Sequence, residues 1–425
     1  MKIGHDPMIG EIIAIGDELT SGKILNTNSR FAAGHLFTAG HEIVAMATIG
    51  DTAAEIGNAL KRAIKRADFV ITIGGLGPTT DDRTNEAVAD ALDRPATFYP
   101  EILEKIQSKL SENPAQSELH LEKLAWLPKG AEVLKPESRM AGYLLIHDEK
   151  PIFFLPGVPH QMKELLADRV IPHLAVWQGT SGRHVRQRIF KIFGLPETEI
   201  NKKLRHLENG DPQLRIGYYP VFPDVHVSLT VIDKNTQVAI DTFAAVSSEI
   251  ETILDDYIYG SDNDSMAQVV GQLLRNHKKT LAVAESCTGG LISHKITGVA
   301  GCSDYFMGGV VAYSNSLKKK YLDVPGNLLQ KFGAVSAQVA LAMAKGIRTK
   351  TGSDFGIATT GIAGPTGGSR EKPVGTVYFG ICTAAAEQTK KISFTGGRRH
   401  IQELSAQTAL DLLRRSLLDK KTKGM

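Results

Sequence analysis

Short apolar runs alternate with segments of helical spacing over the first part of the chain. Residues 9–15, 42–49 and 69–73 are compact runs of the kind that form buried strands. Residues 28–39 and 53–66 instead place apolar side chains three and four apart, as an amphipathic helix requires. A further run at 151–155 (PIFFL) precedes a helical pattern over 160–174. Strands alternating with helices predict a mostly parallel sheet covered by helices on both faces. A polar stretch at 178–182 then breaks the pattern. Beyond it, 185–193 and 225–232 read as strands and 197–207 as a helix, a small α+β module that carries no catalytic cluster. The turn-rich stretch 260–265 closes it. A last α/β unit follows, with strands at 280–284, 306–313, 355–360 and 375–383 and helices at 266–276, 290–297, 337–349 and 398–418. The fold class is therefore α/β: two three-layer domains, 1–178 and 262–425, joined by the α+β module at 183–258.

Composition changes this picture little. Of 425 residues, 42% are hydrophobic and 22% charged, enough for cores that need no staples. The net charge of +3 argues against nucleic acid as the main partner. The three cysteines, Cys287, Cys302 and Cys382, form no CxxC pair and no disulfide framework, which suits a reducing compartment. No run reaches the ~18 apolar residues of a membrane span, and no apolar leader follows Lys2. A cytoplasmic protein without membrane contact is expected.

Three loops of the last unit each follow an apolar strand: AESCTGG at 284–290, YSNSLK at 313–318 and TGIAGPTGG at 360–368. Ligands of open α/β sheets bind at the carboxyl ends of strands, so parallel neighbours would gather these loops around one ligand. Ser286 is then a candidate nucleophile, or the cap of the helix after it. A serine needs a base. His277 and His294 lie away from strand ends, whereas Lys318 falls one turn into a helix that Ser314 or Asn315 would cap. As a base, Lys318 must be neutral, which burial favours; otherwise it belongs with Lys319 and Lys320 on a solvated face. Gly289 and Gly290 could offer backbone N–H groups to an anion. Gly361, Gly364, Gly367 and Gly368 could let main chain approach a ligand.

These blocks, with FGAVS at 332–336 and KPVGTVYF at 372–379, resemble the CinA C-terminal domain, in order, over residues 265–415. GDEL at 16–19 and GGLGPTTDD at 74–82 are similar to the CinA N-terminal, molybdopterin-binding-like domain. The resemblance implies an amidohydrolase that converts nicotinamide mononucleotide to nicotinic acid mononucleotide and ammonia, by a Ser/Lys mechanism without a cofactor. It makes Ser286 the nucleophile, Lys318 the base and Tyr313 an assisting hydroxyl. It sets Thr288, Gly289, Gly290, Asn315, Gly361, Ile362, Ala363 and Gly364 against a nucleotide substrate. By position, Lys372 and Arg398 are candidate cations for its phosphate, while Arg399 reads as a surface charge. A homo-oligomer is expected, with the middle module as a candidate interface.

The first domain leaves two readings open. Asp17, Glu18, Asp81 and Asp82 could hold a divalent metal beside a phosphate-binding Gly74–Gly77 loop, and the resemblance then implies a metal-dependent ADP-ribose pyrophosphatase. Alternatively Thr80, Asp81 and Asp82 cap the helix that follows. Where relatives of that family commonly read GTAPG, this chain has Ser138-Arg139-Met140-Ala141-Gly142; Arg139 could add phosphate affinity or close the site. A third alternative is a non-catalytic binding protein of DNA uptake or repair.

Overall fold

The computed structural model describes residues 8–104, 121–136, 142–178, 184–208 and 210–418. Ser138–Ala141 and most of the 178–182 linker lie outside them. The chain divides into two compact units, residues 1–187 with 230–243, and residues 188–229 with 244–425.

Seventeen strands are described. In the first domain these are β1 (Ile9–Ile15), β2 (Glu42–Ile49), β3 (Phe69–Ile73), the short pair β4 (Ala96–Phe98) and β5 (Trp126–Pro128), β6 (Glu132–Val133), β7 (Tyr143–His147) and β8 (Lys150–Leu155). Six of them form one sheet in the order β2-β1-β3-β8-β7-β6. β1 runs parallel to β2 and β3, and β3 parallel to β8, while β7 is antiparallel to β8. Successive side chains of a strand point to opposite faces, and here both faces are covered. Ile13, Val70, Ile152 and Phe154 enter one core, while Ile12, Phe69, Ile71 and Phe153 enter the other. That is why these strands read as continuous apolar runs rather than as alternation. The helix Ala53–Arg66 buries Ile56, Ala59, Leu60, Ala63 and Ile64, one stripe at 3.6-residue spacing. Thr52 caps it, and Lys65 and Arg66 complement its carboxyl end.

The middle module contributes β9 (His184–Ile192), β10 (Leu214–Val221), β11 (Asp224–Asp233) and β12 (Ile258–Ser261), ordered β10-β11-β9-β12. Its Phe193 and Tyr259 are buried in the same apolar cluster as Leu281, Phe355 and Leu410 of the last domain.

The last domain holds β13 (Leu281–Glu285), β14 (Phe306–Val311), β15 (Phe355–Gly361), β16 (Thr376–Cys382) and β17 (Glu387–Ser393), ordered β14-β13-β15-β16-β17. β13 pairs in parallel with both β14 and β15, so the three informative loops do leave one edge of the sheet. Leu281, Val283 and Ile357 face one core and Ala282, Ala284 and Ala358 the other, again giving three layers. No helix among the described residues is long and apolar enough to cross a membrane.

Candidate active site

β13 is buried along its whole length and ends on Glu285, which is fully buried. Its ladder continues into the loop: the Ser286 N–H donates to the Thr359 carbonyl at 3.1 Å, and the Ala312 N–H to the Glu285 carbonyl at 2.8 Å. Both neighbouring strands therefore fix the backbone of Ser286. The Glu285 carboxylate turns back on the next helix. It accepts from the N–H groups of Gly290 (3.0 Å), Ile292 (3.1 Å) and Ser293 (2.9 Å), and from the Ser293 hydroxyl (2.7 Å). A buried acceptor satisfying several orphan helix donors is a strong local anchor.

This corrects two sequence expectations. Ser286 is not the cap: Gly290, with φ 101°, is the N-cap residue of Leu291–Thr297, and Glu285 supplies the capping acceptor. Gly289 and Gly290 do not offer open N–H groups to an oxyanion either. The Gly289 N–H bonds the Ser286 carbonyl at 3.2 Å and that of Gly290 bonds Glu285. The Ile362 N–H is likewise taken, by the Thr376 carbonyl at 2.9 Å. The Cys287 and Thr288 N–H groups bond no backbone carbonyl among the described residues.

Lys318 comes from the helix Asn315–Leu322, whose N-cap Ser314 accepts from the Leu317 N–H at 3.2 Å. Of the two candidate caps, Ser314 and Asn315, it is Ser314 that caps, with Asn315 exposed in the first turn. Lys318 is only 1% exposed, whereas Lys319 and Lys320 stay on the surface. Its Nζ lies 3.0 Å from Ser286 Oγ, 2.7 Å from the Ala312 carbonyl and 3.0 Å from the Tyr313 carbonyl. Two carbonyls fix two N–H bonds. A neutral amine so held directs its lone pair at the serine hydroxyl. Burial pushes Lys318 down to about 8, opposed only by charge on Cys287. That thiol is itself pushed up to about 12 by burial, so it is uncharged near neutrality and the opposition is small.

The other residues close around this pair. Thr288 Oγ1 and Thr359 Oγ1 are 2.8 Å apart, both buried. Tyr313 is 58% exposed, and Arg398 bonds its hydroxyl at 3.0 Å and the Gly364 carbonyl at 2.8 Å. Arg398 thus bridges two loops. Lys372 donates to the Phe332 carbonyl at 2.9 Å and pins another loop. In the third loop a Cβ on Gly361 would meet Val377, and one on Gly364 would meet Val374 at 2.5 Å. A cavity of about 370 Å³ adjoins the nucleophile loop, lined by Thr288, Gly289, Gly290, Leu291, His294, Arg399, Gln402 and Glu403. Arg399 and His294 are both exposed and stand on the wall of this cavity. Helix phase separates Arg399 from Arg398, and the Arg399/Gln402/Glu403 spacing was the available signal.

The carboxylates of the first domain behave differently. Asp17 and Asp51 accept from each other's N–H, at 3.3 and 2.8 Å. The Asp82 carboxylate closes on the Thr79 N–H at 3.0 Å and on the Thr79 hydroxyl. Burial, with the charges of Asp17, Glu18 and Asp81, raises Asp51, while the Thr79 hydroxyl lowers Asp81. Among the described residues no group of three or more His, Cys, Asp or Glu side chains is arranged to hold a metal. Asp17, Glu18, Asp81 and Asp82 thus do not form one coordination shell. The capping alternative fails too, since Arg83 is the N-cap of Thr84–Ala91 and no side chain caps it. A Cβ on Gly74 would run into the Ile15 carbonyl, and one on Gly75 into Thr84 Oγ1.

Fold and geometry together define a three-layer α/β domain with a buried serine–lysine pair at the carboxyl edge of its parallel strands. The chain belongs to the CinA-like family. Its residues 263–417 match the CinA C-terminal domain, 11–176 the Probable molybdopterin binding domain, and 187–260 the Damage-inducible protein CinA KH domain. A CinA-like protein of Desulfotalea psychrophila is 55% identical over 410 residues, spanning 96% of this chain and 98% of its own length. Another, from Syntrophobacter fumaroxidans, is 39% identical and spans 96% of each chain. The crystal structure of competence/damage inducible protein CihA from Agrobacterium tumefaciens is 37% identical, covering 36% of this chain and 94% of its own, with a TM-score of 0.35.

Proposed function

We propose that the last domain is an amidohydrolase acting on the carboxamide of nicotinamide mononucleotide. The observation that carries this reading is the buried Lys318 amine 3.0 Å from Ser286 Oγ, with both its carbonyl partners in place. Lys318 takes the Ser286 proton as the serine oxygen attacks the amide carbon. The N–H groups of Cys287 and Thr288, next along the chain, are the donors left for the oxyanion. The carbon–nitrogen bond then breaks, and the lysine returns its proton to the departing ammonia. Water, deprotonated by the same amine, releases nicotinic acid mononucleotide and regenerates the hydroxyl. Arg399, on the wall of the adjoining cavity, is the cation for the substrate phosphate, with His294 as a hydrogen-bonding neighbour, replacing Lys372 and Arg398 in that role. The partner is thus a small nucleotide, in keeping with the modest net charge of +3. Ammonia release from the mononucleotide by the full chain tests the reading. Wild type should release ammonia and Ser286→Ala should not; an active Ser286→Ala protein would overturn it.

A further inference from the structure

The C-terminal helix Arg398–Leu418 is the element on which the middle module and the three site loops meet. Its first turns touch every loop. Arg398 bonds the Tyr313 hydroxyl and the Gly364 carbonyl, and Gln402 donates to the Cys287 carbonyl at 2.9 Å. One side of the helix is therefore a clasp across the nucleophile loop, the lysine loop and the glycine loop.

Another side is gripped by the middle module at three positions seven residues apart. His400 stacks on Phe222, at the tip of the β10–β11 hairpin, with ring centroids 4.0 Å apart and planes 20° from parallel. Gln407 donates to Asp224 Oδ1 at 2.8 Å, while Tyr259 donates to Oδ2 of the same carboxylate at 2.7 Å. Arg414, almost fully buried, donates to the Asp256 carbonyl at 2.5 Å. Seven residues is close to two helical turns, so His400, Gln407 and Arg414 share one face. The chain enters this helix through Gly396 and Gly397. Gly396, at φ 112°, lies under the His400 ring, where a Cβ would stand 2.8 Å from it. Two glycines without side-chain restraint leave the direction of the first turn to be set by what holds it from outside.

We infer that the β10–β11 hairpin is a positioning element of the active site: by bracing His400 and Gln407 it holds Arg398 and Gln402 across the three loops, and substrate binding depends on it. Phe222 and Asp224 do not touch the reacting atoms; they act through the helix. This rests on the amidohydrolase reading only for its choice of substrate.

The test uses the full chain with Phe222→Ala, Gln407→Ala and the pair. KM for nicotinamide mononucleotide should rise about 2- to 10-fold for each single variant, the range of a lost aromatic pair or hydrogen bond. The double variant should rise further, with kcat little changed. Phe222→Trp, which keeps the stack, should restore KM. Amide hydrogen exchange provides a readout that needs no turnover. It should quicken at 286–290, 312–318 and 361–368 in the double variant, and not only at the hairpin. Unchanged KM, or unchanged exchange at those loops in the double variant, would overturn the inference. Should wild type release no ammonia, the substrate reading fails and exchange alone decides the brace.

Discussion

The two three-layer domains are built alike and end differently. Each has parallel strands buried on both faces, and each sends glycine-rich loops with charged or nucleophilic residues from the carboxyl edge of its sheet. In the first domain those polar groups bond mainly backbone N–H groups. Asp82 bonds Thr79 three residues away, and Asp17 and Asp51, at the ends of adjacent strands, satisfy each other's backbone. In the last domain two side chains meet across strands. Lys318 reaches Ser286 thirty-two residues earlier and is buried beside it. The lesson is physical. A carboxylate in water that accepts local N–H bonds is a loop stabiliser, whereas an amine stripped of water and aimed at a hydroxyl has its proton affinity altered for chemistry.

The largest way to break this contrast is Lys318→Ala. It should lower kcat for ammonia release by about 10²–10⁴-fold, the usual contribution of a positioned general base, while circular dichroism stays unchanged. A smaller effect is expected at Arg399→Ala, where loss of a charged hydrogen-bonding partner for the phosphate should raise KM on the order of 10-fold and leave kcat alone. Steady-state kinetics on the same substrate separate the two. The smallest effect sharpens the comparison from the other side. Asp81→Asn, exposed in its loop, and Asp82→Asn, half-buried in the same loop and remote in sequence from the last domain, should leave ammonia release within about twofold of wild type.

Much of this site was legible in the residues. The three loops and their common edge follow from apolar runs ending in small and polar residues, while the roles of Ser286 and Lys318 rested on the resemblance to the CinA C-terminal domain. What escaped has identifiable causes. Glu285 bonds mainly backbone N–H groups, which leave no letter in a sequence, so the capping role fell to Ser286 instead. β17 reads EQTKKIS and is almost wholly exposed as the edge of its sheet, so it lacks the alternation that marks a half-buried strand. Arg398 and Arg399 are adjacent in sequence but about 100° apart around the helix, and only the phase of that helix assigns one to Tyr313 and the other to the cavity. The packing of the middle module on the last domain was not legible because Phe193 and Tyr259 are ordinary apolar residues until the cluster they join is seen.

The central claim is that Lys318 is a buried, neutral base for Ser286. The pH dependence of kcat/KM for ammonia release tests it most directly, because the amine acts only when deprotonated. With Lys318 brought down to about 8, the rate should climb with pH, reach half its maximum near that value and level off above it. Lys318→Ala should show no such step in what activity remains. A wild-type profile flat from acid to alkaline pH, or the same step persisting in Lys318→Ala, would contradict the account.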